Sequence, residues 1–502
     1  MFESAEMEHE VNEKTYDKDI EKLRTELVDA QYDMLEDKKF PVVVIVSGID
    51  GAGKGETANL LQEWLDPRHV TVRAFGTPTE AERLRPKMWR YWNALPPKGK
   101  IGLLFGSWYS SPIADRLENN IDERELDAQL ESIRHFEQML VDDGTVIVKL
   151  WFHLSKKGQR KRLKELEEDK LTRWRVTKQD WKNFDRYERF RGIAEHTLRE
   201  TSTGAAPWLV IDGSNPKYRA LSVGRALLAA IRGRLDAAPK AKKDAKKKGA
   251  GTSPPSAVSM LHTIDTSGIL RNLKFQEKLD KEKYKKVLNR EQETLGKLAR
   301  NRKMQNHSVV CVFEGMDAAG KGGALRRVTQ SIDARQYQVI PIAAPTEEER
   351  AQPYLWRFWR NIPRLGRFVI FDRSWYGRVL VERVEGFAAE EAWSRAYREI
   401  NEFEEQLSEH GIILCKFWLA VTKEEQMRRF KEREATERKQ FKITPEDWRN
   451  RKKWDDYIVA ASDMIDRTST AYAPWTVVEA NDKYSARVKV VETVTKRIRE
   501  AF

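Results

Sequence analysis

Two short stretches decide the fold: GIDGAGKG at residues 48–55 and GMDAAGKG at residues 315–322. Each follows a short apolar run and precedes a helix-like segment, which is the context that a phosphate-binding P-loop requires. The glycines let backbone N–H groups surround a phosphate, and the helix that follows adds the positive end of its dipole. In the second stretch, the pattern predicts phosphate binding by Gly315, Gly320, Lys321 and Gly322.

The two stretches belong to a long internal repeat. Gly315 lies 267 positions after Gly48, and Trp475 lies the same 267 positions after Trp208. A register that holds over this length does not arise by chance and indicates duplication of a whole domain. Equivalent residues of the two copies are therefore compared at this offset.

Each copy alternates short apolar runs with longer charged, helix-like stretches. Short buried strands that alternate with helices indicate a parallel sheet flanked by helices on both faces, so the predicted fold class is α/β. The predicted domains are 1–235 and 258–502. Residues 236–257 contain six lysines and three prolines and are predicted to form a flexible or extended linker.

The second copy lacks the hydroxyl that usually follows the P-loop lysine and contacts Mg²⁺, because Gly322 stands there. Carboxylates are the replacement that Mg²⁺ accepts best in proteins. The candidates are Asp317, inside the loop, and Asp372, which ends the apolar run FVIF as the acid of a Walker B arrangement. Arg373 and Arg378 follow and are predicted to bind the phosphoryl group during transfer.

The first copy keeps the loop lysine, Lys54, and loses the acid at the strand end and both arginines that follow it. Phe105, Gly106 and Ser111 stand where the second copy has its metal acid and two arginines. Such a loop still binds an anion, but nothing there fixes a metal ion. We therefore predict that the first copy is catalytically inactive.

An arginine-rich segment, KEEQMRRFKEREATERK at 423–439, has strong helix propensity. Arg429 and Arg433 are four residues apart and share one helix face. Two interpretations stay open: a solvated face of ion pairs, or a helical lid whose arginines bind phosphates.

Several motifs together resemble the type 2 polyphosphate kinases. They are GMDAAGKGG, APTEEER, FDRSWYGR, KFWLAVTKEEQMRRFKER and EANDKYSAR, and the match spans nearly all of 270–502. The resemblance implies a P-loop kinase fold in both copies, with an arginine-rich lid. It assigns functional roles to Asp317, Lys321, Asp372, Arg373, Arg429 and Arg433. Gly377 replaces the asparagine that the family often has after SWY.

The resemblance also implies the reaction, which moves phosphoryl groups between inorganic polyphosphate and nucleotides with Mg²⁺, or with Mn²⁺ in its place. Two fused copies resemble the subgroup that acts on nucleoside monophosphates, so the expected reaction is AMP to ADP. Nucleoside diphosphates as acceptors, or ATP as donor, are the alternatives within the fold. Oligomerisation of the chain is left open.

Composition narrows the partners without choosing one. The net charge of +13 predicts an anionic partner, and a nucleic-acid-binding ATPase would also fit it. A non-catalytic P-loop scaffold is a further alternative, which fits the first copy but not the second. No recognised nucleic-acid-binding module is visible. The acidic N-terminus, the lack of a long apolar run and the presence of only two cysteines predict a soluble, cytoplasmic enzyme without nucleic-acid or membrane partners.

Overall fold

The computed structural model describes residues 1–247, 268–275 and 278–502. These residues form two compact units, which are described separately. Unit 1 contains the described residues of 1–78, 90–247 and 345–356, and unit 2 contains those of 79–89, 268–344 and 357–502. Each unit therefore includes one short segment from the other half of the sequence, which the predicted boundaries do not anticipate.

Unit 1 is built on a five-stranded sheet in the order β2-β3-β1-β4-β5. All neighbouring strands are parallel. The strands are β1 (Val42–Gly48), β2 (Val70–Ala74), β3 (Ile101–Phe105), β4 (Val146–His153) and β5 (Trp208–Asp212).

Unit 2 repeats this arrangement with a sheet in the order β10-β9-β6-β8-β7, again entirely parallel. The strands are β6 (Ser308–Gly315), β7 (Tyr337–Pro341), β8 (Phe368–Asp372), β9 (Ile412–Ala420) and β10 (Trp475–Glu479). In both sheets the strand that leads into the phosphate loop is central.

The helices follow the same repeat. Those of the first sequence copy are α1 (Glu13–Asp37), α2 (Lys54–Trp64), α3 (Glu80–Arg83), α4 (Trp89–Trp92), α5 (Ser110–Leu117), α6 (Glu123–Asp142), α7 (Lys156–Glu168), α8 (Lys178–Asp185), α9 (Tyr187–Thr201) and α10 (Pro216–Lys247). Those of the second are α11 (Gly268–Arg271), α12 (Lys281–Ala299), α13 (Lys321–Thr329), α14 (Glu347–Arg350), α15 (Trp356–Trp359), α16 (Val381–Val384), α17 (Glu390–Glu409), α18 (Lys423–Glu434), α19 (Pro445–Lys452), α20 (Trp454–Thr468) and α21 (Lys483–Glu500).

The central strands are apolar because helices cover both faces of each sheet. All nine residues of β9 are buried, as are the first seven residues of β6. In parallel sheets such strands read as continuous hydrophobic runs rather than alternating ones. The predicted α/β class, with two tandem P-loop domains, is confirmed.

The first part of the predicted linker is helical in the structure. Helix α10 continues through Lys247, so residues 236–247 are helical and not irregular. Alanine and lysine have high helix propensity, and this outweighs the single Pro239 within the segment. The rest of the predicted linker, 248–257, and the first residues of the predicted second domain, 258–267, lie outside the described residues.

Among the described residues, no helix combines the length and the apolar character needed to cross a bilayer.

Candidate functional site

The second phosphate loop depends on glycines whose backbone other residues would strain. Gly315 ends β6 with φ of 144°, and a Cβ atom there would lie 2.4 Å from the carbonyl oxygen of Leu419. Gly320, with φ of 109°, caps α13, and Gly322 is the second residue of that helix. These conformations favour glycine, so the loop and the N-terminus of α13 sit at the end of the central strand.

Lys321 folds back over the loop. Its ammonium group donates to the carbonyl oxygens of Gly315 at 2.6 Å and of Met316 at 3.4 Å. Burial lowers the pKa of Lys321, and the nearby carboxylate of Asp317 acts in the opposite direction. The cation is therefore held at the loop, at the end where a P-loop binds phosphate.

Asp317 is fixed by three neighbours. Its Oδ2 atom accepts from Asn450 Nδ2 at 2.8 Å, and its Oδ1 atom lies 3.4 Å from Arg373 Nη2. Gln426 Nε2 donates to the Asp317 carbonyl oxygen at 3.0 Å. Since the side chain is 14% exposed, it stays accessible to a ligand while its orientation is set.

Asp372 and Arg373 lie beside the loop because of the sheet register. Asp372 ends β8 and pairs with Phe313, two residues before Gly315. Arg373 follows with φ of 63°, a left-handed backbone that costs a non-glycine residue about 1 kcal/mol. Such local strain is typical of functional sites. The structure thus brings together both predicted metal acids, the loop lysine and one predicted arginine.

The two carboxylates are candidate metal ligands. In the ranges that the structure describes, no group of three or more His, Cys, Asp or Glu side chains could hold a metal ion. Two carboxylates completed by phosphate oxygens and water nevertheless match the ligands that Mg²⁺ prefers. The residues present therefore fit an ion that is bound together with a phosphate substrate.

Two more arginines that the sequence predicts to bind phosphate, Arg378 and Arg433, follow Arg373 in the chain. Arg378 ends a 3₁₀ turn, Trp375–Arg378, and its Nε atom lies 2.8 Å from Glu382 Oε2. Arg433 is half-buried in the last turn of α18. The side chain of Arg378 is 19% exposed, so its charge is partly shielded in this state.

Arg429, which the sequence leaves open as a solvated or a phosphate-binding residue, is buried against the phosphate loop. Its side chain is 4% exposed, and Nη1 donates to the carbonyl oxygens of Ala318 at 3.0 Å and Ala319 at 2.9 Å. Nη2 donates to the Ala480 carbonyl at 2.6 Å, and Nε donates to Glu425 at 2.6 Å. Arg429 holds the loop backbone, so the structure places it as a positioning residue.

Sequence reasoning missed three residues of this site: Glu314, Gln426 and Asn450. Glu314 is buried, accepts from Ser374 Oγ at 2.8 Å, and has a pKa raised by burial. Gln426 and Asn450 orient Asp317, as described above. The internal repeat could have revealed these two, since glutamine and asparagine recur 267 positions earlier in the first copy.

The tryptophan and tyrosine of the motif FDRSWYGR point into the core. Trp375 Nε1 and Tyr376 Oη donate to Glu404 Oε1 at 3.0 and 2.7 Å. Lys416 Nζ donates to Glu404 Oε2 at 2.6 Å and to the Thr468 carbonyl at 2.7 Å. This fully buried ion pair ties β9 to α17 and the motif, so part of the motif serves the fold.

The first copy retains the loop without the adjoining acid. Lys54 Nζ donates to the Gly48 carbonyl at 2.5 Å, and Asp50 Oδ2 accepts from Asn183 Nδ2 at 2.9 Å. Strand β3 ends at Phe105, so no carboxylate occupies the position of Asp372. The first copy therefore has a phosphate loop like that of the second copy, but different residues surround it.

Known proteins share this architecture along the whole chain. The sequence matches the polyphosphate kinase 2 (PPK2) family over residues 10–239 and 278–501. It is 52% identical to a polyphosphate:AMP phosphotransferase of Pseudomonas aeruginosa over 502 residues, which cover 100% of this chain and 99% of the relative. It is 38% identical to a protein of the same name from Acinetobacter johnsonii over 488 residues, covering 95% and 96% of the two chains.

A solved structure agrees with these matches. The crystal structure of a putative polyphosphate kinase 2 from Pseudomonas aeruginosa superposes with a TM-score of 0.89 at 50% identity. The superposition covers 100% of this chain and 99% of that one. With both copies matched and the fold shared from end to end, the chain belongs to the polyphosphate kinase 2 family.

Proposed function

We propose that the second copy transfers the terminal phosphoryl group of inorganic polyphosphate to AMP, which yields ADP and a polyphosphate shortened by one unit. One observation carries the proposal: Lys321 and Asp317 of the loop meet Asp372 and Arg373 at the end of the adjoining strand. The full-length similarity to proteins named polyphosphate:AMP phosphotransferase supports the choice of donor and acceptor.

The site must first bind the terminal phosphate of polyphosphate despite its repulsion by the other phosphate groups. Lys321 and the N–H groups between Gly315 and Gly322 bind the terminal phosphate, assisted by the N-terminus of α13. Arg373 meets the transferred group where its charge is spread over the equatorial oxygens, and Arg378 joins it when it leaves Glu382. Arg429 keeps the loop in this geometry through its bonds to the loop carbonyls.

Asp317 and Asp372 are the residues that would hold Mg²⁺, or Mn²⁺ in its place. When bound, such an ion offsets the negative charge of the phosphates on either side of the transferred group. Asn450 and Gln426 orient Asp317 for this task.

The chemical step needs no general base. A phosphate monoester has its second pKa near 6, so the AMP phosphate is largely a dianion at neutral pH. One of its oxygens forms the new P–O bond as the terminal P–O–P bond of polyphosphate breaks. The electron pair of the broken bond stays on the shortened polyphosphate. The barrier is repulsion between anions, which explains a site of lysine, arginines and metal acids without histidine.

We further propose that this reaction occurs in the cytoplasm and that the first copy does no chemistry. The two cysteines, Cys311 and Cys415, are free thiols buried in the core of unit 2, as expected in a reducing compartment. The end of β3 offers Phe105 and Gly106 in place of an acid and an arginine.

The test is a donor and acceptor assay without ATP. Protein, Mg²⁺ and polyphosphate are mixed separately with AMP, ADP or GMP, and the products are separated by anion-exchange chromatography. ADP formed from AMP is the expected result. Phosphorylation of ADP but not AMP would reassign the acceptor, and a protein that uses ATP while leaving polyphosphate intact would refute the proposal.

A further inference from the structure

The first copy contains a cavity of about 560 Å³ beside its phosphate loop. The equivalent space in the second copy measures about 60 Å³ and is lined in part by Arg373. Gly106 stands at the position of Arg373 and lines the larger cavity, so loss of the arginine side chain opens the space. Small-molecule sites have volumes of roughly 300–1,000 Å³, so the cavity is large enough for a ligand.

The charges around this loop do not suit a polyanion. Glu56 replaces the second copy's Gly323, and its carboxylate lies 2.7 Å from Arg219, 2.9 Å from Arg162 and 3.5 Å from Arg175. One side chain of the protein thus pairs with all three arginines. None of the three lines the cavity, where, among the described residues, Lys54 is the single cation and Asp50 and Glu118 are carboxylates. One phosphate group can be satisfied there, but a chain of phosphates cannot.

Two buried polar atoms of the cavity lining make no hydrogen bond to the described residues. Trp151 and Gln159 are 2% and 3% exposed, and neither Trp151 Nε1 nor Gln159 Oε1 has a hydrogen-bond partner among the described residues. In the second copy, Arg451 donates to the equivalent Gln426 Oε1 at 2.9 Å, whereas the first copy has Phe184 in place of that arginine. Trp418, the equivalent of Trp151, also has no hydrogen-bond partner for its indole Nε1 among the described residues. The two copies therefore differ at the glutamine Oε1, which has a partner in the second copy and none among the described residues of the first. Buried polar atoms normally find partners, and a ligand with both a donor and an acceptor would supply them.

The remaining walls are aromatic. Trp151 and Phe190 stack with ring centroids 5.9 Å apart, and Phe105, Tyr109 and Tyr187 also line the cavity. A nucleobase combines a flat π face with adjacent donors and acceptors on its edge. Its phosphate, if single, matches Lys54, the loop N–H groups and the N-terminus of α2.

We propose that the first copy is a non-catalytic binding site for a nucleoside monophosphate. The nucleotide is held and not phosphorylated, because no carboxylate at the end of β3 fixes a metal ion. Polyphosphate is excluded, because the described residues of the cavity lining offer its many charges a single lysine and place two carboxylates, Asp50 and Glu118, around it. The chain therefore carries two nucleotide sites of different kinds: a catalytic site in unit 2 and a site in unit 1 that binds the nucleotide without phosphorylating it.

The experiment counts AMP molecules bound per chain by equilibrium dialysis of the full-length protein without polyphosphate, where no turnover occurs. Ala114→Trp fills the mouth of the first cavity from an exposed position on α5, and Val381→Trp fills the second cavity from the equivalent position, which is half-buried. We expect two AMP per wild-type chain and one in each variant. Addition of polyphosphate and Mg²⁺ should convert the AMP bound to Ala114→Trp, whose remaining site is catalytic, into ADP and leave the AMP bound to Val381→Trp unchanged.

The outcomes separate this proposal from the proposed function. One AMP per wild-type chain, lost in Val381→Trp and kept in Ala114→Trp, overturns the first-copy site and leaves the reaction standing. One AMP lost only in Ala114→Trp supports the first-copy site and rejects AMP as the acceptor. Ser110→Trp, also exposed at the cavity mouth, repeats the test if Ala114→Trp fails to fold. Displacement of AMP from Val381→Trp by polyphosphate would also overturn the proposal.

Discussion

The two phosphate loops share a backbone and differ in what surrounds it. In both, the lysine donates to the carbonyl of the first loop glycine, at 2.5 Å in the first copy and 2.6 Å in the second. In both, the loop aspartate accepts from an asparagine. The adjoining strand then ends in Phe105-Gly106 in one copy and Asp372-Arg373 in the other. The comparison separates the residues that the fold needs from those that we assign to the reaction.

The buried ion pair belongs to the first group. Lys149 and Glu137 in the first copy are 2.7 Å apart, and Lys416 and Glu404 in the second are 2.6 Å apart, with the same tyrosine and tryptophan partners. The first copy has Phe105 where the second has Asp372, yet it keeps this network intact. Its role is therefore to join the central part of the sheet to a helix.

Backbone strain belongs to the second group. Ala318 and Arg373 have φ of 59° and 63°, whereas the first copy has glycine at both positions, Gly51 and Gly106, with φ of 82° and 60°. The backbone conformation is preserved in both copies. Only the second copy has side chains at these two positions, and they strain its backbone. Such strain is typical of functional sites, which indicates that the two side chains contribute to the site.

The largest effect should come from the loop lysines. Lys321→Ala should lower kcat by about 10³-fold, because it removes a charge that stabilises the transferred group. Lys54→Ala should keep most of the wild-type kcat at saturating polyphosphate and AMP. Steady-state kinetics of the two variants, with circular dichroism as a folding control, measures how much each copy contributes to turnover. Loss of turnover in a folded Lys54→Ala protein would show that the first copy takes part in the reaction.

The proposed metal ligand Asp372 should matter almost as much. Asp372→Asn keeps the shape of the side chain and removes its charge, so kcat should fall by about 10²- to 10³-fold. The matched change in the first copy, Phe105→Leu, should leave kcat within about twofold of wild type, since Phe105 lines the first-copy cavity, which we propose takes no part in the reaction. Mg²⁺ titrations of both variants would show a raised metal requirement only in Asp372→Asn. A well-folded Asp372→Asn enzyme with a normal rate would remove this residue from the site.

The shared ion pair should have equal value in both copies. Glu404→Gln and Glu137→Gln each leave a buried lysine without its carboxylate, which should cost about 3–5 kcal/mol of local stability. Hydrogen exchange of β9 amides in the first variant and of β4 amides in the second measures each loss in its own unit. If only Glu404→Gln were destabilising, the network would have a special role in the second copy, and its assignment to the fold would fail.

The repeat made the fold predictable, because a duplicated pattern of apolar runs marks the strands twice. The ten strands lie where those runs lie, and the end of β8 beside the loop follows from parallel register. Charge and proline content predict a linker at 236–247, whereas the helix propensity of alanine and lysine continues α10 through Lys247.

The role of Arg429 could not be predicted from its spacing to Arg433. Helical spacing tells which residues share a face, but not whether that face meets solvent, a ligand or backbone carbonyls. Here the carbonyls come from residues 318–319 and 480–481, which are distant in sequence and join only in the folded unit. The pairing of Glu56 with three arginines is long-range in the same way.

A smaller effect should follow from pH at the anchor of Arg429. Burial acts to raise the pKa of Glu425, but hydrogen bonds from Arg428 and Arg429 outweigh it and lower the pKa from 4.5 to about 2. Because the folded pKa is depressed, the stabilisation is fully present above pH 4.5 and is lost as pH falls toward 2. The first copy has Gly158 at this position and lacks the anchor.

Glu425→Gln tests this anchor. At neutral pH the variant should be less stable than wild type by about 1–2 kcal/mol, after allowance for solvent screening. Hydrogen exchange of α18 at a series of pH values measures the gap, which should narrow as pH falls below 4.5. A gap that stays constant with pH would show that the carboxylate charge does not hold Arg429.

The smallest effects should come from exchanging the strained loop residues. Gly51→Ala puts a side chain at φ of 82°, where the added Cβ makes only ordinary contacts of 3.5 Å or more. The left-handed backbone costs about 1–2 kcal/mol, partly offset by the lower entropy of the unfolded chain, so unit 1 should lose about 0.5–1 kcal/mol. Ala318→Gly reverses the change and should stabilise unit 2 by at most a similar amount. Its kcat should nevertheless fall a few-fold, because the glycine loosens the loop that Arg429 holds through the Ala318 carbonyl. Hydrogen exchange of each loop and steady-state kinetics measure both quantities. An Ala318→Gly enzyme that is more stable and equally active would show that the strain at this residue has no function, and that the two loops differ only in their charged neighbours.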